Sequence, residues 1–549
     1  MKLENPQESQ TPRQQSASSS TLAALLGRHA AETPEGIAFI DRDRPLRYDE
    51  LARESAGLAA GLARLGVGKG DRVAVWLPNI PAWFASFFAC ARLGAIAVAV
   101  NTRFKSGEVA DIVQRSGAKI LIYWPGFKGI DFNGIIGDVP AESFAAVGGL
   151  VLYHENESAL AAEVHGVKTH DYRALAATEP MREDHGGYET GCVIFTTSGT
   201  TRAPKFVLHR QRSILAHGAN VATAFGLHAP DAVMMPAVPF CGVTGFCQAM
   251  AALSAGRPIV GTPAFEAGEA ARQIVRYAVT HTAMLGEMAI NLVAAAPPGT
   301  RPFPSLRLVG FAAFSPTQLN VVPQTEALGI PLIGLYGASE VQALFANQPF
   351  HLPPLERAEG GGFPTSPEAR VRVRDVETGE LLPPGRSGEL EFAGPSRMAE
   401  YFNNPEATRA ALTEDGYLRS GDLGYLTEDG RFIYQNRMGD ALRLAGFLTS
   451  PLEIEGFIKE HPAIADAQVV GVEIAGSPRA VAFVIAVEGA DWSEEILIAH
   501  CRARMANYKV PARILAIEEF PTTPSANGNK IQKTRLRALA ETMLEGTVS

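Results

Sequence analysis

CVIFTTSGTTRAPKF, residues 192 to 206, leads an apolar run into five hydroxyl side chains around one glycine and then, past Pro204 and Lys205, returns to apolar residues. A short apolar run bounded by turn formers suits a buried strand. In an open parallel sheet, ligands bind where strands end and loops begin. Gly199 lets the backbone approach a ligand, successive backbone amides can form an anion-binding concavity, and Thr197, Ser198, Thr200 and Thr201 can donate to phosphate oxygens. Lys205 adds a positive charge. The stretch therefore reads as a sheet strand feeding a loop that holds a triphosphate, with a Ser/Thr-rich surface turn as the alternative. No GxxxxGK[ST] pattern occurs in the chain, which disfavours the phosphate-loop NTPases.

Working outward, Leu51, Leu58, Leu62 and Leu65 recur at helical spacing up to Gly66, and RVAVWLP (72 to 78) is strand-like. A helix over 79–93, a strand over 95–101, a helix over 107–116 and a strand over 118–123 follow, the alternation of a parallel sheet covered on both faces. It returns after 190 in CVIFTT, VMMPAV, TAMLG, LRLVG and LIGLY, with a helix over 267–280. From 370 the texture becomes alternating and turn-rich, which predicts antiparallel strands. The last hundred or so residues read helix, strand, strand, helix, strand, a second compact domain. The expectation is an α/β chain: residues 1–21 a disordered tail, 22–437 a large domain of doubly wound sheets plus a β-rich subdomain, and 438–549 a small mobile α+β domain.

The chain has 549 residues, too many for one ordinary core, with 46% hydrophobic and 19% charged residues. Net charge is -9 and no lysine or arginine block is present, which argues against nucleic acid and a polybasic membrane anchor. Cys90, Cys192, Cys241, Cys247 and Cys501 form no CxxC pair and read as buried thiols in a reducing compartment. The polar first twenty residues do not resemble a signal peptide, so the expected location is cytoplasmic. AWFASFFACARLGAIAVAV (82 to 100) is long enough for a membrane span, but Arg92 and Gly94 divide it into a helix and a strand.

Two more clusters carry chemistry. LYGASE, 335 to 340, ends a strand-like run with an aromatic residue, a glycine, a hydroxyl and a carboxylate, an inventory that could stack a base and hold Mg2+ through Glu340. Asp422, in GYLRSGDLGY, is placed in a tight turn where a carboxylate suits a pair of ribose hydroxyls. Taken singly, Tyr336 also reads as core, Glu340 as a solvated helix start and Asp422 as a turn former.

Together these motifs closely resemble the acyl-adenylate-forming superfamily of acyl-CoA synthetases, adenylation domains of peptide synthetases and beetle luciferases. The superfamily's [ST]SGTTGxPKG appears as TSGTTRAPKF, its YGxTE as YGASE, its DG[WY]xxTGDxG as DGYLRSGDLG, and its GRxDxxxxxxG as NRMGDALRLAG. PLEIE (451–455), GPSRMAEYFNNPEAT (394–408) and GDRVAVWLPN with LGAIAVAVNTR (70–103) fit further motifs, in the same order, from about residue 22 to the end.

The resemblance implies an ATP-dependent acid:CoA ligase of the acid-thiol, AMP-forming type, using ATP, Mg2+ and coenzyme A. It would activate an apolar fatty or aryl carboxylic acid as acyl-AMP and then form the thioester after rotation of the small domain. Delivery to a separate carrier protein, or a nucleotide-binding relative without catalysis, are the alternatives, and a homodimer is left open. By resemblance Lys530, in PTTPSANGNKIQK, bridges acid and α-phosphate, preferred over Lys533 because it follows the glycine turn. Glu340 holds Mg2+ with help from Thr200. Gly310, Phe311, Ala312, Tyr336 and Gly337 line the adenine, and Asp422 and Arg437 hold the ribose. Phe240, Cys241, Gly242, Phe314 and Ala338 form the acyl pocket. Gly439, Asp440, Arg443, Gly446 and Phe447 form the hinge and CoA tunnel. Departures from the pattern are Arg202 and Phe206 at two loop glycines, Asn436 before the ribose arginine, Gly439 at the hinge, and Cys241 near the usual aromatic or His gate.

Overall fold

The computed structural model describes residues 21–155, 161–197, 204–312, 316–440, 442–444, 447–449, 451–474, 477–502, 505, 507–525 and 528–545. The N-terminal tail expected over 1–21 lies almost wholly outside them. Helix Tyr48–Arg64 turns Leu51, Leu58 and Leu62 inward, starts on Asp49 and Glu50, and ends before Gly66, whose φ of 82° few other residues adopt. The Glu50 carboxylate closes its first turn by accepting from the Arg47 amide at 2.9 Å.

The apolar stretch over 82–100 is a helix and a strand, as its Arg92 and Gly94 predict. Helix Pro81–Leu93 spans 13 residues and is stopped by Gly94 at φ 69°. Strand Ile96–Ala99 follows, wholly buried. Thirteen residues rise about 20 Å, short of a hydrocarbon core of about 30 Å. Among the described residues no helix is long and apolar enough to cross a membrane. The helix is instead the centre of an aromatic core. Phe84 stacks on Phe246 at 5.6 Å, and Trp83 and Phe240 approach edge-on at 6.1 Å.

The large domain is built on two sheets. Nine described strands form one: its middle, Gly191–Thr196, Ile96–Ala99, Arg72–Trp76, Ile120–Tyr123, Gly149–Leu152 and Val167–Asp171, is parallel. Thirteen described strands form the other, parallel from Ile37–Asp41 through Ile259–Gly261, Met234–Pro236, His281–Leu285 and Leu308–Ala312 to Leu332–Ala338. Helices Pro81–Leu93 and Val243–Ser254 lie in a shared core with strand residues of both sheets, Val75 and Phe195 from one, Phe39 and Ile333 from the other. Separate cores cover the outer faces, Ala74 and Val98 packing with Val109 and Val113 on one sheet, Val260 and Val309 with Ile274 and Leu292 on the other, so both faces of each sheet are used, as the alternation of strands and helices predicts.

Three features of pairing go beyond the sequence reading. The strand after the hydroxyl loop, Phe206–Arg210, runs antiparallel to Gly191–Thr196. The antiparallel strands beyond 370 do not form a separate layer; through Gln342–Asn347 and Gly361–Pro364 they continue the second parallel sheet. The hairpin Ile37–Asp41 with Arg44–Arg47 closes the opposite edge of that sheet.

Arg437 is the last residue paired in the second sheet, and Leu442 and Leu444 already belong to a different core. That core joins helices Pro451–Lys459 and Glu494–Arg502 to the sheet Ile464–Ile474, Ser477–Ala486 and Arg513–Ala516. Helix Lys533–Glu545 covers the other face with Leu536 and Ala540. The chain is thus mixed α/β with a large N-terminal and a small C-terminal domain.

Candidate active site

The parallel pairing of Gly191–Thr196 with Ile96–Ala99 puts Thr197, where the hydroxyl loop begins, at the carboxyl ends of the parallel strands. Its neck is closed twice: the Thr197 amide donates to the Lys205 carbonyl at 2.9 Å, and the Lys205 amide donates to Thr197 Oγ1 at 3.0 Å. Ser198, Gly199, Thr200, Thr201 and Arg202 lie outside the described residues. Phe206, at a position where the usual pattern has glycine, is buried among Ile194, Val109 and Ile112.

Lys205 is exposed, and its ammonium lies 4.5 Å from the centre of the Tyr401 ring. The Tyr401 hydroxyl donates to Glu340 Oε1 at 2.7 Å. Burial, and next the Glu340 carboxylate, push the Tyr401 phenol far above its ordinary range, so it keeps its proton and remains a donor. Glu340 sits in the turn between strands Leu332–Ala338 and Gln342–Asn347, not at a helix start. The turn is held from behind: the Met398 amide donates to the Glu340 carbonyl at 2.7 Å, and buried His209 Nε2 lies 2.7 Å from the Ser339 carbonyl. A Cβ on Gly337 would come within 2.4 Å of Ala343 Cα, so this turn has no space for a side chain there.

Asp422 lies within strand Leu418–Leu426 rather than in a tight turn; Gly421, with φ 67°, produces a local kink that the sequence presents as a turn. The carboxylate is 2% exposed. Tyr336 donates its hydroxyl to Asp422 Oδ2 at 2.5 Å, and Arg437, paired opposite in the next strand, brings Nη1 to 3.0 Å from Oδ1. That Nη1 directs its hydrogen bond to the Ser420 carbonyl, at 3.0 Å, so among the described residues Asp422 Oδ1 accepts no hydrogen bond despite being buried. Burial raises the Asp422 pKa, while Arg437 and the Tyr336 hydroxyl oppose the rise. Arg437 is held charged by Asp422 against the opposing effect of burial. A buried carboxylate oxygen without a donor fits a ligand hydroxyl.

The remaining predicted residues are distributed as follows. Tyr336 is 6% exposed, its ring packed on Phe392 and Phe432, each 5.1 Å away, and Tyr434 at 5.7 Å. Its clearest contact with the site is therefore the hydroxyl. Gly310 has no room for a side chain, since a Cβ would meet Leu335 Cδ1 at 2.4 Å; Phe311 turns into the core behind the strand, and Ala312 is half-buried. Phe240 is part of the aromatic core, Cys241 is buried with its thiol pushed up to about 12 by burial, and Gly242 caps helix Val243–Ser254. Ala338 packs beside the Tyr336 cluster. Phe314 and Gly446 lie outside the described residues. Gly439 occupies the turn Met438–Asp440, where a Cβ would meet nothing within 4 Å. Asp440, Arg443, Phe447 and Lys530 are described in backbone only, Lys530 opposite Thr523 in the hairpin Thr522–Ser525 with Gly528–Ile531. Lys533, the competing lysine, binds buried Glu455 at 2.7 Å.

Sequence reasoning gave Tyr401 and His209 no role. Tyr401 lies inside a quoted motif, GPSRMAEYFNNPEAT, whose tyrosine was the available signal; His209 carried none, because its partner is a backbone carbonyl 130 residues away.

Comparison with known proteins identifies the family of the chain. The family model for AMP-binding enzymes matches residues 26–402, and that for the AMP-binding enzyme C-terminal domain matches residues 453–527. A putative acyl-CoA synthetase, YngI, of Bacillus subtilis (strain 168) is 30% identical over 94% of this chain and 96% of its own length. The fatty acid–[acyl-carrier-protein] ligase ScoC of Streptomyces coeruleorubidus is also 30% identical over 94% and 96%. Among solved structures, O-succinylbenzoate coenzyme A synthetase (MenE) from Bacillus subtilis, in complex with ATP and magnesium ion, superposes with a TM-score of 0.76 at 25% identity, over 93% of this chain and 98% of that one.

Proposed function

Because the chain belongs to the AMP-binding enzyme family, we propose that it is an ATP-dependent acid:CoA ligase that activates an apolar fatty or aryl acid as acyl-AMP and passes the acyl group to CoA. One relationship carries the reading: between residues 336 and 340 the LYGASE segment reaches Asp422 through the Tyr336 hydroxyl and, through Glu340, the tyrosine beneath Lys205. Ribose and phosphate contacts for one nucleotide thus converge on a single turn.

Adenylation requires a carboxylate to approach a triphosphate. At about 4 Å each pair of unit charges repels by ~4 kcal/mol at an effective dielectric near 20, so cations must stand between them. The hydroxyl loop, Thr197 to Thr201, and Lys205 hold the β- and γ-phosphates and stabilise the leaving pyrophosphate. Glu340 would hold Mg2+, since one carboxylate acting together with substrate phosphates is a usual way for a protein to bind that ion. When bound, the ion supplies charge neutralisation on the phosphates. Asp422 Oδ1 accepts from the ribose, and Arg437 keeps that carboxylate ionised in a buried place. The backbone of Gly310 to Ala312, with Tyr336 and Gly337, borders the adenine. The acid lies towards Cys241, Gly242, Phe314 and Ala338.

Lys530 supplies the cation between acid and α-phosphate, Lys533 being engaged by Glu455. The turn Met438–Asp440, between the last paired residue of the large sheet and the first core residue of the small domain, is the hinge between 22–437 and 438–549. Rotation there would bring the Gly446 segment to the site for thioester formation, so that one cleft first excludes water and then admits a long thiol. ATP–pyrophosphate exchange across acids of graded size tests the reading. Exchange followed by CoA thioester formation is expected; no exchange with any fatty or aryl acid overturns it. The likeness to a carrier-protein ligase favours a second acceptor, and comparing CoA with a pantetheinylated carrier protein distinguishes the two.

A further inference from the structure

Lys205 and Glu340 are far apart in sequence, flank strands of different sheets and have opposite charges, yet both meet Tyr401. Tyr401 is 5% exposed, and its strand, Glu400–Tyr401, is an edge strand that pairs with Phe206–Arg210, the strand that leaves the hydroxyl loop. The pairing is anchored on both sides, with the Phe402 amide donating to the Phe206 carbonyl at 2.7 Å and the Ala399 amide to the Leu208 carbonyl at 2.8 Å. The Tyr401 amide itself donates to Thr408 Oγ1 at 3.0 Å. Its backbone cannot shift without unpairing the loop's own strand.

The side chain is thus a fixed platform. One end of it is a ring face under the Lys205 ammonium; the other is a hydroxyl bonded to Glu340. An exposed lysine has a flexible four-carbon stem and samples many rotamers, and a cation held over an aromatic face samples fewer. A carboxylate with one oxygen engaged by a hydroxyl donor has its second oxygen oriented.

We propose that Tyr401 is a positioning residue that sets Lys205 and Glu340 at one fixed separation, so that the phosphate-binding cation and the metal-binding carboxylate address the same Mg·ATP. This rests on the functional reading above. Tyr401 touches neither the nucleotide nor the acid in that reading; it acts through its two neighbours, and its two ends are separable. Loss of the hydroxyl releases Glu340 alone, whereas loss of the ring releases Lys205 as well.

The test is ATP binding by titration calorimetry with the acid withheld, at a series of Mg2+ concentrations, on wild type, Tyr401→Phe and Tyr401→Leu. Tyr401→Phe should leave Mg2+-free ATP affinity unchanged and raise the Mg2+ concentration needed for half of the ion's effect about tenfold, the loss of one hydrogen bond to a charged group. Tyr401→Leu should show that shift and also weaken Mg2+-free ATP binding several-fold. Should Tyr401→Leu fail to fold, Glu340→Gln serves instead: Tyr401→Phe placed on it should add no further shift. A Mg2+ midpoint for Tyr401→Phe within about twofold of wild type, or additive losses in the double variant, overturns the proposal. A wild type whose ATP binding ignores Mg2+ refutes the functional reading itself, an outcome distinct from a wild type that responds and a Tyr401→Phe that responds equally.

Discussion

The Arg115 guanidinium lies 4.4 Å from the centre of the Phe206 ring and donates to the Pro204 carbonyl at 2.8 Å. Asp111 holds the same guanidinium from one turn earlier in its helix, at 2.8 Å. The bulky residue at a loop position where relatives carry glycine is therefore seated: its ring is 2% exposed below, and a cation covers it above. Phe206→Gly should cost about 3 to 5 kcal/mol, the range for emptying a buried aromatic site. Arg115→Ala should cost about 1 kcal/mol and raise the KM for ATP several-fold while thioester formation from supplied acyl-AMP is unchanged. Denaturant titration and the two half-reactions check both; an undiminished stability in Phe206→Gly would mean that the ring is not packed here.

Burial raises the Asp422 pKa, and the Tyr336 hydroxyl, after the Arg437 charge, opposes that rise by donating to the carboxylate. Removing the hydroxyl leaves desolvation less opposed, so the Asp422 pKa rises and the carboxylate becomes protonated at higher pH. Tyr336→Phe should shift the acidic limb of ATP binding to higher pH, with Tm nearly unchanged because the ring stays packed. Asp422→Ala should weaken ATP and AMP alike. A selective loss of ATP would place Asp422 against the phosphates instead of the ribose.

How far this arrangement was legible depends on whether the signal was local. Helix Tyr48–Arg64 and strands such as Arg72–Trp76 announce themselves through period and punctuation, and the motif order carried the family. The direction of Phe206–Arg210 was not readable, because a short apolar strand looks the same whether its neighbour is parallel or antiparallel. Asp422 was misplaced because the glycine beside it, which kinks a strand, is also a turn former. Tyr336 shows a related ambiguity: an aromatic residue next to a glycine suits a stacking platform as well as a core, and only the neighbouring rings decide.

His209 and His217, fully buried, bond the Ser339 and Ala343 carbonyls on either side of the Glu340 turn, each at 2.7 Å. Burial depresses both to about 4 from the ordinary 6.5. The unfolded chain then binds protons that the folded one refuses, so each contribution is complete above about pH 6.5 and is lost as pH falls towards 4. Between pH 7 and pH 5 each should cost about 2 kcal/mol of folding free energy. His209→Gln retains a donor for Ser339 and removes one titration. Its stability difference between those two pH values should be about 2 kcal/mol smaller than that of wild type, measured by denaturant unfolding. An equal difference would show that the imidazole is not buried neutral.

Lys533 and Lys530 are close in sequence and should fail differently. Lys533 is bound to a Glu455 carboxylate that is fully buried and also accepts from the Val469 amide at 2.9 Å, so Lys533→Met leaves a buried charge without its counterion. That should cost about 3 to 5 kcal/mol and depress both half-reactions together, through loss of folded protein. Lys530→Ala should leave Tm unchanged and lower ATP–pyrophosphate exchange by about two to three orders of magnitude, the scale of removing one group that stabilises transition-state charge. Thioester formation from supplied acyl-AMP should persist, because the step that needs the bridging cation is already complete. If Lys530→Ala instead weakened both half-reactions equally with no change in Tm, the cation between the acid and the α-phosphate would have to come from elsewhere in the chain.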